Sequence, residues 1–148
     1  MPIEDELQSA FKSEYHRLVV NIMYTQGWVL RAFNRHLKPF GITFQQYNIL
    51  RILRGQQPAP ATIALLIERM IDKTSNASRL VEKLRAKGLV ERTVSSADRR
   101  RVDVRITRDG LTLIERIEAL DQTWEAQLRG LTPDEAAQAS TLLDKLRG

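Results

Sequence analysis

Residues 73–106 read KTSNASRLVEKLRAKGLVERTVSSADRRRVDVRI, and the order of residue types in this stretch decides the fold. Its first half places an apolar side chain every three or four positions, which is the spacing of one helix face. The members of that face are Ala77, Leu80, Val81 and Leu84. The pattern predicts a helix from about Lys73 to Lys87, because Gly88 then offers the left-handed conformation that commonly ends a helix.

The second half of the stretch predicts a β-hairpin. Residues 89–94 are rich in branched side chains, and residues 102–106 alternate apolar and charged side chains as a half-buried strand does. The link between them, residues 95–101, is polar and ends in three consecutive arginines. A helix followed by a basic-tipped hairpin is typical of a winged helix-turn-helix, in which the hairpin is the wing and the helix is the recognition helix.

The positive charge of the chain is concentrated in this stretch. The 148 residues contain 23 basic and 18 acidic side chains, for a formal net charge of +5. Residues 73–105 hold ten Lys and Arg against four Asp and Glu, or +6, so the remainder sums to about −1. Such a local excess is expected where a protein contacts a polyanion, although a solvated helix face gives the same signal.

The residues before this stretch predict the rest of a DNA-binding lobe. Thr43-Phe44-Gln45-Gln46 fits a capping box, which opens a helix that stops near Gly55. Thr62 is expected to cap a short apolar helix from Ile63 to Met70. With the recognition helix and the hairpin, these helices complete a winged helix-turn-helix over residues 43–107.

Long amphipathic helices are predicted on both sides of the lobe. An apolar stripe predicts one helix from about Asp5 to Leu37, ended by a Lys-Pro-Phe-Gly sequence. A second helix is predicted from Thr107 to about Leu128, and Thr132-Pro133-Asp134-Glu135 opens a last one. We therefore expect residues 1–37 and 111–148 to be dimerisation helices of one continuous structural domain. The expected fold is mainly α with a small β wing.

The stripes on the outermost helices predict a homodimer, because their side chains are too apolar to be left in water. The expected interface residues are Leu7, Phe11, Leu18, Ile22, Leu142, Leu143 and Leu146. A two-fold axis between these helices would place two recognition helices side by side. The expected DNA site is then an inverted repeat.

Short polar side chains and an arginine lie opposite the buried stripe of the recognition helix, which suits the major groove of double-stranded DNA. The predicted major-groove residues are Thr74, Ser75, Asn76, Ser78, Arg79 and Lys83. Among them, Arg79 is expected to pair with guanine and Asn76 with adenine. The predicted wing residues are Asp98, Arg99, Arg100 and Arg101. An arginine from this tip suits a narrow minor groove, and Asp98 is expected to orient the Arg100 guanidinium by a forked ion pair.

The wing sequence also resembles that of a known family. Asp98-Arg99-Arg100, then five residues ending at Arg105, then Ile106-Thr107, resembles the D-x-R-x5-[LI]-T signature of the MarR family of multiple-antibiotic-resistance regulators. Residues 78–84 and 87–92 are similar to its recognition helix and first wing strand, and residues 43–50 to its second helix. The resemblance covers nearly the whole chain.

The resemblance implies a dimeric regulator, usually a repressor, whose affinity for DNA falls when a small molecule binds between the dimer helices and the DNA-binding lobe. It assigns the minor-groove arginine to Arg100 and its orienting partner to Asp98, and it turns Ser75, Asn76, Ser78 and Arg79 toward the major groove. One departure lies before the recognition helix, where Met70-Ile71-Asp72-Lys73 replaces a glycine and a following hydrophobic residue. Asp72 is therefore expected to cap this helix, with a start that shifts by about one residue.

A small aromatic or phenolic effector is expected where the first long helices meet the last ones. The candidate ligand-binding residues are Tyr15, His16, Met23, Trp28 and Tyr47. Aromatic and methionine side chains at helical spacing are also typical of a core. The alternative is therefore a constitutive DNA-binding or protein-interaction module of the same fold, without an effector.

Other function classes find no support in the sequence. The chain has no cysteine, which excludes disulfides and a thiol redox switch. Its two histidines, His16 and His36, lie about five helical turns apart on one predicted helix, too far for one metal site within a subunit. No catalytic constellation stands out, so we expect no enzyme, no metal and no cofactor. No apolar run reaches the roughly 18–20 residues of a membrane helix, and the N-terminus is acidic and polar, so we expect a cytoplasmic protein without membrane contact.

Overall fold

The computed structural model describes all of residues 1–148, as a chain of helices with one small sheet. The elements are α1 Ile3–Leu7, α2 Glu14–Leu37, α3 Phe44–Gln56, α4 Ile63–Arg69, α5 Ala77–Ala86, β1 Val90–Val94, β2 Val102–Ile106, α6 Arg108–Glu118, α7 Asp121–Glu125 and α8 Pro133–Arg147. Two short 3₁₀ segments, Lys38–Phe40 and Ala126–Leu128, follow α2 and α7. The predicted fold class, mainly α with a small β wing, is confirmed. No helix is both long and apolar enough to cross a bilayer.

The core lies inside the lobe formed by α3, α4, α5, the hairpin and α6. Its fully buried side chains come from each of these elements and from the end of α2; the largest are Leu37, Ile49, Leu50, Leu53, Leu66, Met70, Leu84, Ile114 and Ile117. The strands pair antiparallel, from Val90 opposite Ile106 to Val94 opposite Val102. The predicted cap of α4 at Thr62 and the capping box of Thr43 with Gln46 are both confirmed.

Two glycines set how the hairpin joins its neighbouring helices. Gly88 has φ +73°, the left-handed value predicted for the end of the recognition helix. A Cβ atom on Gly110 would lie 2.4 Å from the carbonyl oxygen of Leu89 and 2.6 Å from Cγ1 of Ile106. Thr107 caps α6 at the same place, and its hydroxyl donates to the carbonyl of Gly88 at 2.7 Å. Helix α6 therefore packs directly on the base of the hairpin.

The single helix predicted over residues 5–37 is wrong, because α1 ends at Leu7 and α2 begins at Glu14. Gln8 takes a left-handed backbone conformation with φ 48°. The Ser13 hydroxyl then accepts the backbone N–H of His16 at 3.1 Å and starts a new helix. The tyrosine hydroxyl of Tyr24 donates to the Glu6 carboxylate at 2.9 Å, so α1 folds back along α2.

The predicted helix from Thr107 to about Leu128 is also divided. The N–H of Leu120 donates to the carbonyl of Ile117 at 3.0 Å, a tightened turn that ends α6. The chain then bends so that the Trp124 ring packs edge-on against Phe33 of α2, with 4.9 Å between ring centroids. The boundary predicted at residue 111 falls inside α6. Beyond that boundary, Ile114 and Ile117 are completely buried in the lobe core. Helix α6 therefore serves the lobe as well as the residues that follow it.

Every residue from Glu125 to Gly148 is exposed in the single chain. Helix α8 still has the predicted capping box of Thr132 and Glu135, and it buries none of its residues. Its leucines are bare: Leu142 is 65% exposed and Leu146 is 54% exposed. Nothing within one chain covers the apolar side of this helix.

Candidate nucleic-acid interface

The recognition helix is α5, and it begins at Ala77 rather than near Lys73. Asn76 is the capping residue, since its side-chain oxygen accepts the N–H of Arg79 at 3.1 Å. The predicted cap, Asp72, instead closes a separate turn by accepting the backbone N–H of Thr74 at 2.9 Å and its hydroxyl at 2.6 Å. Thr, Ser and Asn favour such local bonds over helix interiors, which explains the later start.

This correction changes what three predicted major-groove residues do. The Asn76 side-chain oxygen accepts the N–H of Arg79 as the helix cap. Bidentate pairing with adenine needs the carboxamide oxygen and nitrogen together, so Asn76 does not present both atoms to a base while it caps the helix. Ser75 does not face outward as predicted, because its hydroxyl oxygen is buried without a hydrogen-bond partner. The Thr74 hydroxyl donates to Asp72, and the bonds from its side chain and then its backbone hold the pKa of Asp72 below the usual value.

The exposed face of α5 carries Ser78, Arg79 and Lys83, as predicted. Neither of these two cations takes part in an ion pair. The neighbouring acid, Glu82, is neutralised by Arg85 on the same helix and by Arg92 on β1, whose Nη1 lies 3.4 Å from Oε2 of Glu82. The hydrogen bond from Arg85 is the main reason that the pKa of Glu82 is lowered.

This network around Glu82 was not predicted from the sequence. Glu82 and Arg85 are three positions apart on one helix, which is a readable signal. Arg92 joins only because β1 returns beside α5. The network removes the one negative charge that would otherwise lie beside the free cations of the recognition helix.

The wing tip has a different internal structure from the predicted one. The Asp98 carboxylate accepts the backbone N–H of Arg100 at 2.9 Å and makes no ion pair with the Arg100 guanidinium. A side chain this short bonds readily to the backbone two residues later, so Asp98 shapes the turn instead. The Arg101 guanidinium pairs with Asp103 at 3.2 Å. Arg99 and Arg100 are exposed and unpaired at the tip.

The predicted ligand-binding residues do not form one group within a chain. Tyr47 is buried in the lobe core, and its ring lies 5.5 Å from that of Phe33. Tyr15 precedes Phe33 by 18 positions on α2, which corresponds to roughly 27 Å along a helix axis. His16 lies beside Tyr15 and packs against Phe11, while Met23 and Trp28 are exposed on the same helix.

Tyr47 belongs instead to a cluster of aromatic rings. Phe33 is its centre, and the other members are His36, Phe40, Phe44, Tyr47 and Trp124. Nε2 of His36 is buried there without a hydrogen-bond partner. Burial raises the pKa of Asp121 at the edge of this cluster, and the negative charge of Glu118 adds to the effect. Trp124 joins through the bend before α7, which the helical spacing of the sequence did not indicate.

A recognition helix with free cations, followed by a hairpin with two free arginines at its tip, defines a winged helix-turn-helix DNA-binding protein. Comparison with known proteins gives the family. A sequence profile described as "MarR family" matches residues 40–101. The multiple antibiotic resistance protein MarR of Escherichia coli is 30% identical over 119 residues, covering 78% of this chain and 81% of that protein. The chain belongs to the MarR family and is a transcription regulator that binds DNA.

Two further relatives and a solved complex share most of the chain. The transcriptional repressor IacR of Pseudomonas putida is 27% identical over 144 residues, covering 97% of this chain and 82% of that protein. A mutant MarR from E. coli, crystallised with operator DNA, is 28% identical with a TM-score of 0.81, over 93% of this chain and 99% of that one. The solved structure of BpsR from Bordetella bronchiseptica, a protein whose DNA binding is regulated by 6-hydroxynicotinic acid, is 25% identical with a TM-score of 0.65. The match covers 84% of this chain and 99% of that one.

Proposed function

We propose that this protein is a repressor that binds an inverted-repeat operator as a homodimer and releases it when a small molecule binds. The observation that carries the DNA-binding part is the set of unpaired cations on one lobe: Arg79, Lys83, Arg99 and Arg100. Cations that are exposed and free of carboxylates are suited to replace the counterions of a DNA backbone. The E. coli MarR complex with operator DNA, on the same fold, supports this proposal.

Within this proposal the two parts of the interface do different work. Arg79 reads guanine in the major groove, with Ser78, Thr74 and Lys83 beside it on bases or phosphates. Arg99 and Arg100 enter the minor groove from the wing, where a narrow A·T-rich groove attracts an arginine. Asp98 holds the tip in shape through the Arg100 backbone.

The dimer part rests on the bare leucines of the outer helices. The single chain leaves much of three leucines open to solvent: Leu142 and Leu146 of α8, and Leu18 of α2, which is 42% exposed. Burying such a side chain contributes about 1.5–3 kcal/mol. A second copy supplies complementary faces across a two-fold axis and sets two α5 helices about one turn of DNA apart, roughly 10 base pairs. Helix α1, the first part of α2 and residues 119–148 would then form the interface, together with the outer face of α6; the end of α2 belongs to the lobe, because Leu37 is buried in its core.

We place the effector at the aromatic cluster around Phe33, between α2, α3 and α7. Its rings suit a flat aromatic acid or phenol, and the unpartnered Nε2 of His36 offers a hydrogen bond. The cluster joins the DNA-binding lobe to the residues that lead into α8, so a ligand there would change their relative position. Regulation of BpsR by a hydroxylated aromatic acid supports an effector of this class.

The experiment is selection and sequencing of DNA fragments that the pure protein captures from a random pool. We expect the selected sequences to share an inverted repeat. The Arg79→Ala variant should bind this repeat more weakly, by about 1–3 kcal/mol, and with relaxed base preference at one position per half-site. Equal capture of all sequences would contradict a sequence-specific regulator.

A second experiment tests the effector. It measures the melting temperature of the protein with hydroxylated aromatic acids, since a ligand of the folded state raises the melting temperature. If no such acid shifts the melting temperature or the operator affinity, the alternative without an effector holds.

A further inference from the structure

A second group of cations lies outside the basic stretch of the sequence. Arg31, Arg35 and Lys38 follow one another by four and three positions at the end of α2, so they share one face. All three are exposed, and none pairs with a carboxylate. The opposite face of α2 carries Phe33 and His36 of the aromatic cluster, so the two surfaces are separate.

These cations line an open cleft between α2 and the start of α3. Its volume is about 570 Å³, and its lining residues are Arg31, Asn34, Arg35, Lys38, Gly41, Ile42 and Thr43. No acidic side chain is among them. The cleft therefore combines three like charges with no internal counterion, and it favours an external anion.

The cleft is continuous with the recognition helix. The ammonium group of Lys87, at the end of α5, donates to the carbonyl of Gly41, which lines the cleft. Lys87 follows Lys83 by four positions and Arg79 by eight, so these three cations form one stripe along α5. We call the six cations the basic track: Arg79, Lys83, Lys87, Lys38, Arg35 and Arg31.

We propose that the basic track binds the sugar-phosphate backbone of operator DNA beyond the end of α5, so that α2 takes part in DNA binding. The proposal rests on the proposed function. Duplex DNA fits better than a free carboxylate, since small-ligand sites bury most of their ligand and this cleft is open. Phosphate contacts require only exposed, unpaired cations along a path, and they position the protein without reading sequence.

The test compares the salt dependence of operator binding in two double variants. Arg31→Gln with Arg35→Gln removes two cations of the track per subunit. Arg69→Gln with Arg108→Gln removes two exposed cations that form no ion pair and lie outside both the track and the proposed dimer interface, and it serves as the matched control. The plot of log K against log salt should lose about 0.9 in slope for each phosphate contact removed. We expect a loss of about 2–4 for the track variant, equal on specific and nonspecific DNA, and no change for the control.

Hydroxyl-radical footprinting supplies a second readout. Protection of the backbone by the track variant should weaken at the nucleotides that α2 covers and persist at the nucleotides that α5 and the wing cover. Wild-type slope and footprint in the track variant would overturn the proposal, while capture of a specific operator would leave the proposed function intact. If benzoate raises the melting temperature of the wild type but not of the track variant, with equal salt slopes, the cleft is a carboxylate site and the proposal is wrong.

Discussion

The guanidinium of Arg54 holds the carboxylate of Glu118 through two hydrogen bonds, Nη1 to Oε2 at 2.9 Å and Nη2 to Oε1 at 2.6 Å. Arg51 lies 3.5 Å from the same carboxylate. The pair joins α3 to the last turn of α6, immediately before the bend that leads to α7 and α8. The bonds from Arg54, helped by the charges of both arginines and opposed by burial, hold the pKa of Glu118 below its ordinary value of 4.5.

Glu118→Gln should lower the free energy of unfolding by about 1 kcal/mol at pH 7, the upper range for partly exposed ion pairs. A carboxyl with a lowered folded-state pKa stabilises the fold above pH 4.5, and this contribution is lost as the pH falls below that value. Urea unfolding at pH 7 and pH 3 measures both effects. The difference between the two proteins should shrink at pH 3. An equal difference at both values would show that the glutamine disturbs packing instead.

Local patterns predicted the lobe well, because each element carries its own signals. The caps at Thr43 and Thr62, the left-handed Gly88 and the alternation in β2 are all written within a few neighbouring residues. The breaks in the two long helices were missed for the opposite reason. Leu7 and Phe11 keep helical spacing across the gap before Ser13, as Ile117 and Trp124 do, seven positions apart, across the bend after α6. An apolar stripe records burial and not the continuity of the helix.

For the candidate DNA interface, the sequence predicted which cations are exposed better than it predicted the hydrogen bonds of the residues around them. Free cations on α5 and at the wing tip follow from exposed basic residues in the right elements. Asn76 was predicted to contact DNA, and Asp98 was predicted to pair with the Arg100 guanidinium. Both side chains instead accept hydrogen bonds from nearby backbone N–H groups. The oxygen atoms of such short side chains can accept hydrogen bonds from several nearby donors, and the local backbone decides which donor they reach. The Trp124 contact with Phe33 depends on tertiary packing, which no local pattern encodes.

Gly110→Ala should destabilise the protein by about 1–3 kcal/mol, the usual range for forcing extra atoms into a packed site. The added methyl group would meet backbone, the Leu89 carbonyl oxygen at 2.4 Å, which cannot rotate away as a side chain does. Gly55 in α3 is the control, since a Cβ there has nothing within 4 Å. Gly55→Ala should stabilise the fold, because alanine is the better helix former. Thermal unfolding of the two variants checks the opposite signs; a neutral Gly110→Ala would show that α6 is free to move from the hairpin.

Arg100→Ala should weaken operator binding by about 1–3 kcal/mol while folding and association stay intact, as expected for a side chain inserted in a groove. Arg101→Ala is the matched control, because that guanidinium is already paired with Asp103. We expect it to lose less affinity than Arg100→Ala. Fluorescence anisotropy with labelled operator at physiological salt measures both. Wild-type affinity in Arg100→Ala would remove this residue from the interface.

Leu142→Asp combined with Leu146→Asp should give monomers or unfolded chains that bind the operator far more weakly. The two leucines are four positions apart on the bare side of α8, where they are 65% and 54% exposed in the single chain. Several such side chains, each contributing about 1.5–3 kcal/mol when buried, together outweigh the free-energy cost of association. Two carboxylates at their positions would have to be desolvated in the interface, which strongly opposes it.

Ala137→Asp with Ser140→Asp adds the same two charges to the opposite side of α8, and these residues are exposed as well. This control should remain a dimer, so any difference between the variants reports the leucine face and not the net charge. Sedimentation velocity at micromolar concentration measures the association state, and anisotropy with operator DNA measures the affinity. A wild-type protein that sediments as a monomer while binding its operator tightly would contradict the dimer, because half-sites related by a two-fold axis gain affinity only when both lobes are held together.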